Sequence, residues 1–226
     1  MDQSLVTLIA ACIAFVGTHF ALSHPLRAPL VGVLGEKGFM ALYSVVALAC
    51  LYWMGEGFKA ATPVLLGGSG TIGWIVASGL TVIAMVLLLG SFRANPALPA
   101  PGAEKVAATR EPSGAFMVTR HPMMWGFALW ALAHIVLWWS WRTNILALAI
   151  LILALVGAHL QDRKKEALMG EAWASWEGKT SYWPRWGKLL SAGWVLWVAA
   201  LVTWLVFTWM HMRLAGIPAG AWRWIG

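Results

Sequence analysis

Residues Thr119 to His134 read TRHPMMWGFALWALAH, a basic dipeptide and a proline that lead straight into an apolar run carrying a second histidine. Proline suits the first turn of a helix, where its missing N–H removes no hydrogen bond. A helix is therefore predicted to start at Pro122, with His121 at its cap and Arg120 just outside. Both polar groups are expected at a membrane surface. His134 lies 12 residues beyond Pro122, about 18 Å along the axis at roughly 1.5 Å per residue, a depth at which hydrocarbon surrounds a helix of this kind. An ionisable ring at that depth marks a functional site by default.

Composition sets the class. The chain is 60% hydrophobic and 11% charged, with 17 tryptophans in 226 residues, far more apolar than a soluble domain. The formal charge of +7 sits in loops between apolar segments, the pattern of a membrane protein oriented by its loops, so nucleic acid is excluded as a partner and the lipid bilayer takes its place. Cys12 and Cys50 both fall inside apolar segments without CxxC spacing, which argues against a disulfide framework and against a zinc site. The opening MDQS has no positive n-region, so the first apolar run is expected to stay in the membrane.

Six spans are predicted from apolar length: Ser4 to Leu22, Gly38 to Met54, Thr71 to Phe92, Pro122 to Trp141, Asn144 to Leu160 and Leu189 to Met212. Of the 16 Lys and Arg, all but Lys59, Arg142, Arg213 and Arg223 then fall on one side. The positive-inside rule makes that side cytoplasmic and places both termini outside the inner (plasma) membrane. The expected fold is an all-α, polytopic integral membrane helix bundle forming a single domain over 1–226. An interfacial amphipathic helix is expected at about 162 to 177, where Leu168, Met169, Trp173 and Trp176 share a face. Trp183 and Trp186 extend the aromatic belt. The loop from Phe92 to Gly114 is rich in proline in its first half, which disfavours a regular element there and leaves a lid or a tether as its two readings. His24, just before Pro25, reads as a surface residue, and Glu166, Glu171 and Glu177 read as solvated acids.

Three histidines, His19, His134 and His159, lie within apolar segments. Each could simply bond a neighbouring group, as a lone histidine in lipid must. Three together raise a second reading, because neutral imidazole is the usual protein ligand of haem iron and helical histidines facing one another can hold a haem between spans. Around His134, Phe127, Trp130, Trp138 and Trp141 supply aromatic flanks, while the small Ala131 one turn away leaves room for a flat ring. Ordinary helix packing explains the same stripe. Asp162 and Arg163, one turn beyond His159, either form a polar link with it or orient it as a ligand. Arg120 and His121 fit a headgroup, a cofactor carboxylate or a propionate, or serve only as a helix anchor.

Taken together, GTHFALSHPLR, RANPALPAPG, the TRHPMMWG helix start, His134, His159 and the run DRKKEALMGEAWASWEGKTSYWP resemble the NnrU family of bacterial membrane proteins over nearly the whole chain. The resemblance implies an association with denitrification, in cells reducing nitrite and nitric oxide, and the reductase subunits of that process as partners. More distantly, the RHP…H helix and the GEAW segment are similar to plant zeta-carotene isomerase. That likeness implies haem b held by His19 and His134, with Trp130, Ala131, Arg120 and His121 lining the cofactor, and an apolar or lipid-like small molecule as a further ligand. The isomerase carries a ligand-switching cysteine where this chain has Ala131, so isomerisation by ligand exchange does not carry over.

The RHP start and the late tryptophan-rich segment also resemble the isoprenylcysteine carboxyl and phospholipid methyltransferases. That likeness implies S-adenosylmethionine bound by Arg120, His121, Asp162 and Arg163, with Gln161–Asp162 standing where those enzymes carry paired glutamates. A non-catalytic membrane assembly subunit, with structural histidines, is a third reading. The resemblance and the depth of the residues differ over the ligands. His19 and His159 each lie 15 residues from the outer ends of their predicted spans and His134 only about 7, which separates His134 from the other two by about 12 Å. Depth therefore pairs His19 with His159, whereas the resemblance pairs it with His134.

Overall fold

The computed structural model describes residues 2–225. Its helices are α1 (Gln3–Ser23), α2 (Arg27–Ala60), α3 (Gly70–Gly90), α4 (Ala103–Thr109), α5 (Pro122–Val136), α6 (Trp141–Met169), α7 (Glu171–Lys179), α8 (Trp194–Ala215) and α9 (Trp222–Ile225). There is no β-strand among the described residues; Leu65 and Ser140 form an isolated bridge. Five helices are long and apolar enough to cross a membrane, and α5 is a sixth, shorter apolar helix. The chain is an all-α polytopic membrane bundle.

Local chemistry explains the ends. Asp2 caps α1 by accepting from the Ser4 N–H, and the Ser140 hydroxyl caps α6 by accepting from Thr143. Within α2, Gly35 has φ 68° and ψ 168°, conformations open to glycine, so residues 27–34 form a separate leg before the span itself. The span expected to reach Trp141 stops at Val136. Beyond it Trp138 adopts φ 48°, and the carbonyls of Leu137, Trp138 and Trp139 accept from Ser69, Gly68 and Leu66. These bonds to the α2–α3 connector take the backbone groups that a longer helix would need. Arg142 donates to the Phe58 and Ala61 carbonyls and so closes the C-terminus of α2 beside them.

In the bundle the neighbours run α2, α1, α6, α5, α3, α8, an arc in which α1 and α5 flank α6. The two end helices, α2 and α8, bury the least of their apolar surface, and exposed side chains such as Val45, Leu48, Val195 and Val202 face outward as lipid-facing residues would. Small residues bring the inner helices together: Ala128, Ala131, Ala147 and Ala158 are fully buried. A Cβ at Gly126 would lie 3.0 Å from the Ala84 carbonyl oxygen on α3 and 3.3 Å from the Leu88 nitrogen.

The end carrying most of the Lys and Arg, called the basic end below, is covered by a compact layer. The interfacial helix expected at 162 to 177 is not formed. Residues 162–169 continue α6, Gly170 breaks the chain at φ 50°, and α7 folds back over α4. Trp173 and Trp176 are completely buried there with Ala97, Ala107 and Phe116. An amphipathic stripe thus packs on protein rather than on headgroups. The 93–119 loop is ordered against this layer, since Gln161 donates to the Ala97 carbonyl and Arg110 donates to those of Arg93 and Ala94.

Overpacking the α3–α5 contact with Gly126→Ala is expected to destabilise the protein by about 1–3 kcal/mol, because backbone atoms face the added methyl. Gly17→Ala, whose Cβ would meet nothing within 4 Å, is expected to be neutral or slightly stabilising, within about 1 kcal/mol. Thermal unfolding in detergent measures both.

Candidate functional site

At the basic end, the segment before α5 is held by the segment after α7. Arg120 N–H donates to the Ser181 carbonyl at 2.8 Å, Arg185 N–H to Val118 at 2.8 Å, and the Thr119 hydroxyl to Tyr182 at 2.8 Å. The Trp125 indole also donates to the Tyr182 carbonyl, at 2.9 Å. This short two-stranded clasp fixes where Arg120 and His121 point. They turn inward, not to the membrane surface: His121 is 2% exposed.

Both meet Asp162 on α6. Arg120 donates to the carboxylate from Nε at 2.9 Å and from Nη2 at 2.6 Å. The Nε2 of His121 lies 2.7 Å from Asp162 Oδ1. Asp162 is itself buried, and a buried carboxylate is tolerable only when paired in this way. Arg120 also bonds Glu177 of α7 at 2.9 Å, so Glu177 is not a free solvated acid. Burial raises the Glu177 carboxyl above its ordinary value, and Arg120 opposes that rise. Glu166 pairs instead with Arg163.

Tyr182 completes the cluster. Its ring stands edge-on to His121, with centroids 5.7 Å apart, and its hydroxyl donates to the Leu155 carbonyl at 2.7 Å. Burial, then the nearby Asp162, raises the phenol above its usual value, in keeping with a hydroxyl that acts as a donor. With Nε2–H committed to Asp162, the remaining nitrogen of His121, Nδ1, is buried and has no hydrogen-bond partner. The arrangement presents one oriented imidazole nitrogen that can accept or release a proton, or hold a polar ligand. Arg120, by contrast, is already neutralised by two carboxylates.

The intramembrane histidines lie elsewhere. Nδ1 of His19 is 2.7 Å from the Phe15 carbonyl, and the ring packs on Phe15 and edge-on to Tyr43 of α2. Nδ1 of His134 is 2.8 Å from the Trp130 carbonyl, with the Trp130 ring centroid at 4.2 Å. Both rings therefore satisfy one nitrogen within their own helix and present Nε2. His159 is exposed, and the carboxylate of Asp162 serves His121 instead of it. Ala131 is fully buried among other helices, so the space beside it is filled. Phe127, Trp138 and Trp141 are exposed, and the last two meet edge-on beyond the end of α5. His24 is half-buried rather than on the surface.

Helix register gives the relative depth of the two rings. Counting back from the His121–Asp162 contact sets His134 level with about residue 149 of α6. Phe20 packs beside Gly157, which sets His19 level with about residue 156. About seven residues of rise is roughly 10 Å, and the rings lie on opposite flanks of α6. Opposite axial ligands of one iron must come within about 4 Å, at roughly 2 Å per metal–nitrogen bond. The structure does not bring His19 and His134 that close. Among the described residues no group of three or more His, Cys, Asp or Glu could hold a metal ion.

The model of the NnrU protein family matches residues 7–219, which takes in all of the cluster and both intramembrane histidines. The chain belongs to the NnrU family. No curated protein and no solved structure matches it. For this NnrU protein, Asp162 is visible in the sequence as a neighbour of His159 and, through the methyltransferase likeness, in one set with Arg120 and His121. Tyr182 is not singled out by the sequence and Glu177 reads there only as a solvated acid, although both fall in the GEAWASWEGKTSYWP run that carries the resemblance.

Asp162→Ala leaves two cationic or donor groups facing each other in a buried site and is expected to cost about 3–5 kcal/mol. Glu177→Gln, at a side chain 25% exposed, is expected to cost no more than about 1 kcal/mol. Unfolding in a graded detergent series distinguishes the two, and equal losses would show that the network does not centre on Asp162.

Proposed function

We propose that this NnrU-family membrane protein binds haem b within its bundle, and that the intramembrane imidazole of His134 or of His19 would hold it. On this reading it supports nitrite and nitric oxide reduction by a redox, sensing or isomerase-like activity. The observation that carries the proposal is the hydrogen bond from Nδ1 of each ring to the carbonyl one turn back. A backbone carbonyl on one nitrogen fixes the tautomer and ring angle and raises the basicity of the other, as is usual for metal-bound histidine. Haem b, when bound, would supply one-electron chemistry and binding of small diatomic molecules. The chain's own contribution is the orientation of Nε2, the packing of Trp130 on the His134 ring and of Tyr43 on the His19 ring, and a buried proton-handling nitrogen on His121 at the basic end.

The S-adenosylmethionine reading is supported by one observation, that Arg120, His121 and Asp162 meet. It has only the open Nδ1 of His121 to offer a ligand, because Arg120 is engaged and Arg163 pairs outward with Glu166. The basic end is proposed to face the cytoplasm, with both termini outside the plasma membrane.

Protein purified after expression with added haem is expected to show a Soret band and a reduced spectrum of five-coordinate haem. His134→Ala or His19→Ala should abolish it, whereas His159→Ala should not. Absence of a Soret band together with calorimetric binding of S-adenosylmethionine would transfer the function to the methyltransferase reading. A six-coordinate spectrum lost in both alanine variants would restore the shared His19–His134 pair. For the orientation, a cysteine placed at Lys105 in a chain lacking Cys12 and Cys50 should resist impermeant thiol reagents in sealed cells, and labelling from outside would reverse the assignment.

A further inference from the structure

Where α3 ends and α8 begins, a cavity of about 400 Å³ opens at the basic end, lined by Arg93, Arg110, Ser113, Gly114, Ser191 and Leu196 among others. Glycine shapes it. A Cβ at Gly90 would sit 2.5 Å from the Ala115 Cβ, so only glycine lets the 114–117 turn close against α3, and Gly114 itself has φ 60°.

The charges in the cavity are uncompensated. Arg110 is fixed by donation to two backbone carbonyls and to the Ser113 hydroxyl, and its guanidinium lies over the Phe116 ring at 5.3 Å. None of its partners is an anion. The Arg93 side chain makes no hydrogen bond or ion pair among the described residues, and no acidic side chain lines the cavity. Glu111, the nearest acid in sequence to Arg110, is paired with Lys179 at 2.9 Å. Two guanidinium groups and two hydroxyls line one opening and offer the donors that phosphate oxygens accept, which planar arginine groups recognise with charge-assisted bonds.

The rim selects among phosphates. Phe92, Leu190 and Trp194 are 63%, 82% and 77% exposed, and each lies within two residues of one that lines the cavity, Arg93, Ser191 and Ala192 or Leu196 respectively, close to the ends of two membrane-length helices. A free phosphate ion has no use for an apolar rim, whereas acyl chains descending along the α3–α8 seam would cover it. We propose that this cavity binds the phosphodiester headgroup of an anionic phospholipid, with Arg93 and Arg110 on the phosphate and Ser113 and Ser191 on its oxygens or its polar substituent.

The test uses the full chain in nanodiscs of phosphatidylcholine containing phosphatidylglycerol, released and weighed by native mass spectrometry. Wild type is expected to retain phosphatidylglycerol in preference to phosphatidylcholine. Arg93→Gln should lower that retention roughly ten-fold, the loss of about one charged hydrogen bond, with Arg93→Lys in between. Lys59→Gln, at the opposite end of the bundle, should leave retention unchanged. Equal retention of the two lipids, or an Arg93→Gln variant indistinguishable from wild type while its thermal unfolding is also unchanged, would overturn the site. Release of the lipid by millimolar inorganic phosphate would overturn the lipid assignment in favour of a free phosphate. Equal loss in Lys59→Gln would reduce it to a general charge effect.

Discussion

The carboxylate of Asp162 is the constraint on which the basic end depends. Removing an anion from water and placing it between helices costs several kcal/mol unless its lone pairs are met by cations or donors. Here the bidentate Arg120 and the His121 ring meet them. Those two residues precede the first turn of α5, Asp162 lies past the apolar part of α6, and Glu177 joins from α7. One buried charge therefore registers three helices against one another. The 118–120 and 181–185 clasp is what lets the short segment before α5 hold Arg120 and His121 inward at all.

The length of α5 follows from the same constraint. Its 15 residues cover only about 22 Å, against roughly 30 Å of hydrocarbon, so at least one end must lie below the boundary level of its neighbours. At one end the polar cluster supplies the hydrogen bonds that water would otherwise supply. At the other, the connector between α2 and α3 takes over the carbonyls of Leu137, Trp138 and Trp139. The two ends of α5 are thus the places where irregular backbone enters the bundle, and such backbone is tolerated at membrane depth only where protein surrounds it.

Much of the fold was legible because apolar length is a strong signal in a membrane chain: all six spans lie within or close to the observed helices, and TRHP marked the start of α5. The failures share one cause. A stripe of Leu, Met and Trp has the same period whether it faces headgroups or another helix, so Trp173 and Trp176 read as interfacial although both are fully buried against Phe116 and Ala107. Nothing local in Trp138 announces that its carbonyl will pair with the α2–α3 connector, so apolar length alone extends the fourth span to Trp141, past the end of α5 at Val136. At the site, Arg120 and His121 were legible as residues but not in direction, because their partners lie 41 and 42 residues away in the chain. Depth counting needs the span ends as well as helical rise, and the end from which His134 is counted, Trp141, lies beyond α5; register through α6 separates His134 from His19 by roughly 10 Å of rise without that end.

That separation bears on what an imidazole can do in this bundle. A histidine inside a membrane helix can satisfy Nδ1 cheaply on the carbonyl one turn back, as both His19 and His134 do, but the ring then holds Nε2 at a fixed angle with a lone pair that lipid cannot satisfy. This chain carries the same local device twice, on two helices, with aromatic rings against both imidazoles. A bond to a neighbouring group is also what a purely structural histidine in lipid makes, whereas His121 reaches a second helix at Asp162. The two intramembrane rings stop at the first bond. That leaves each as a single oriented nitrogen, and because the helices on which they ride are registered through α6 at different depths, whatever either one holds must be completed by a group other than its counterpart.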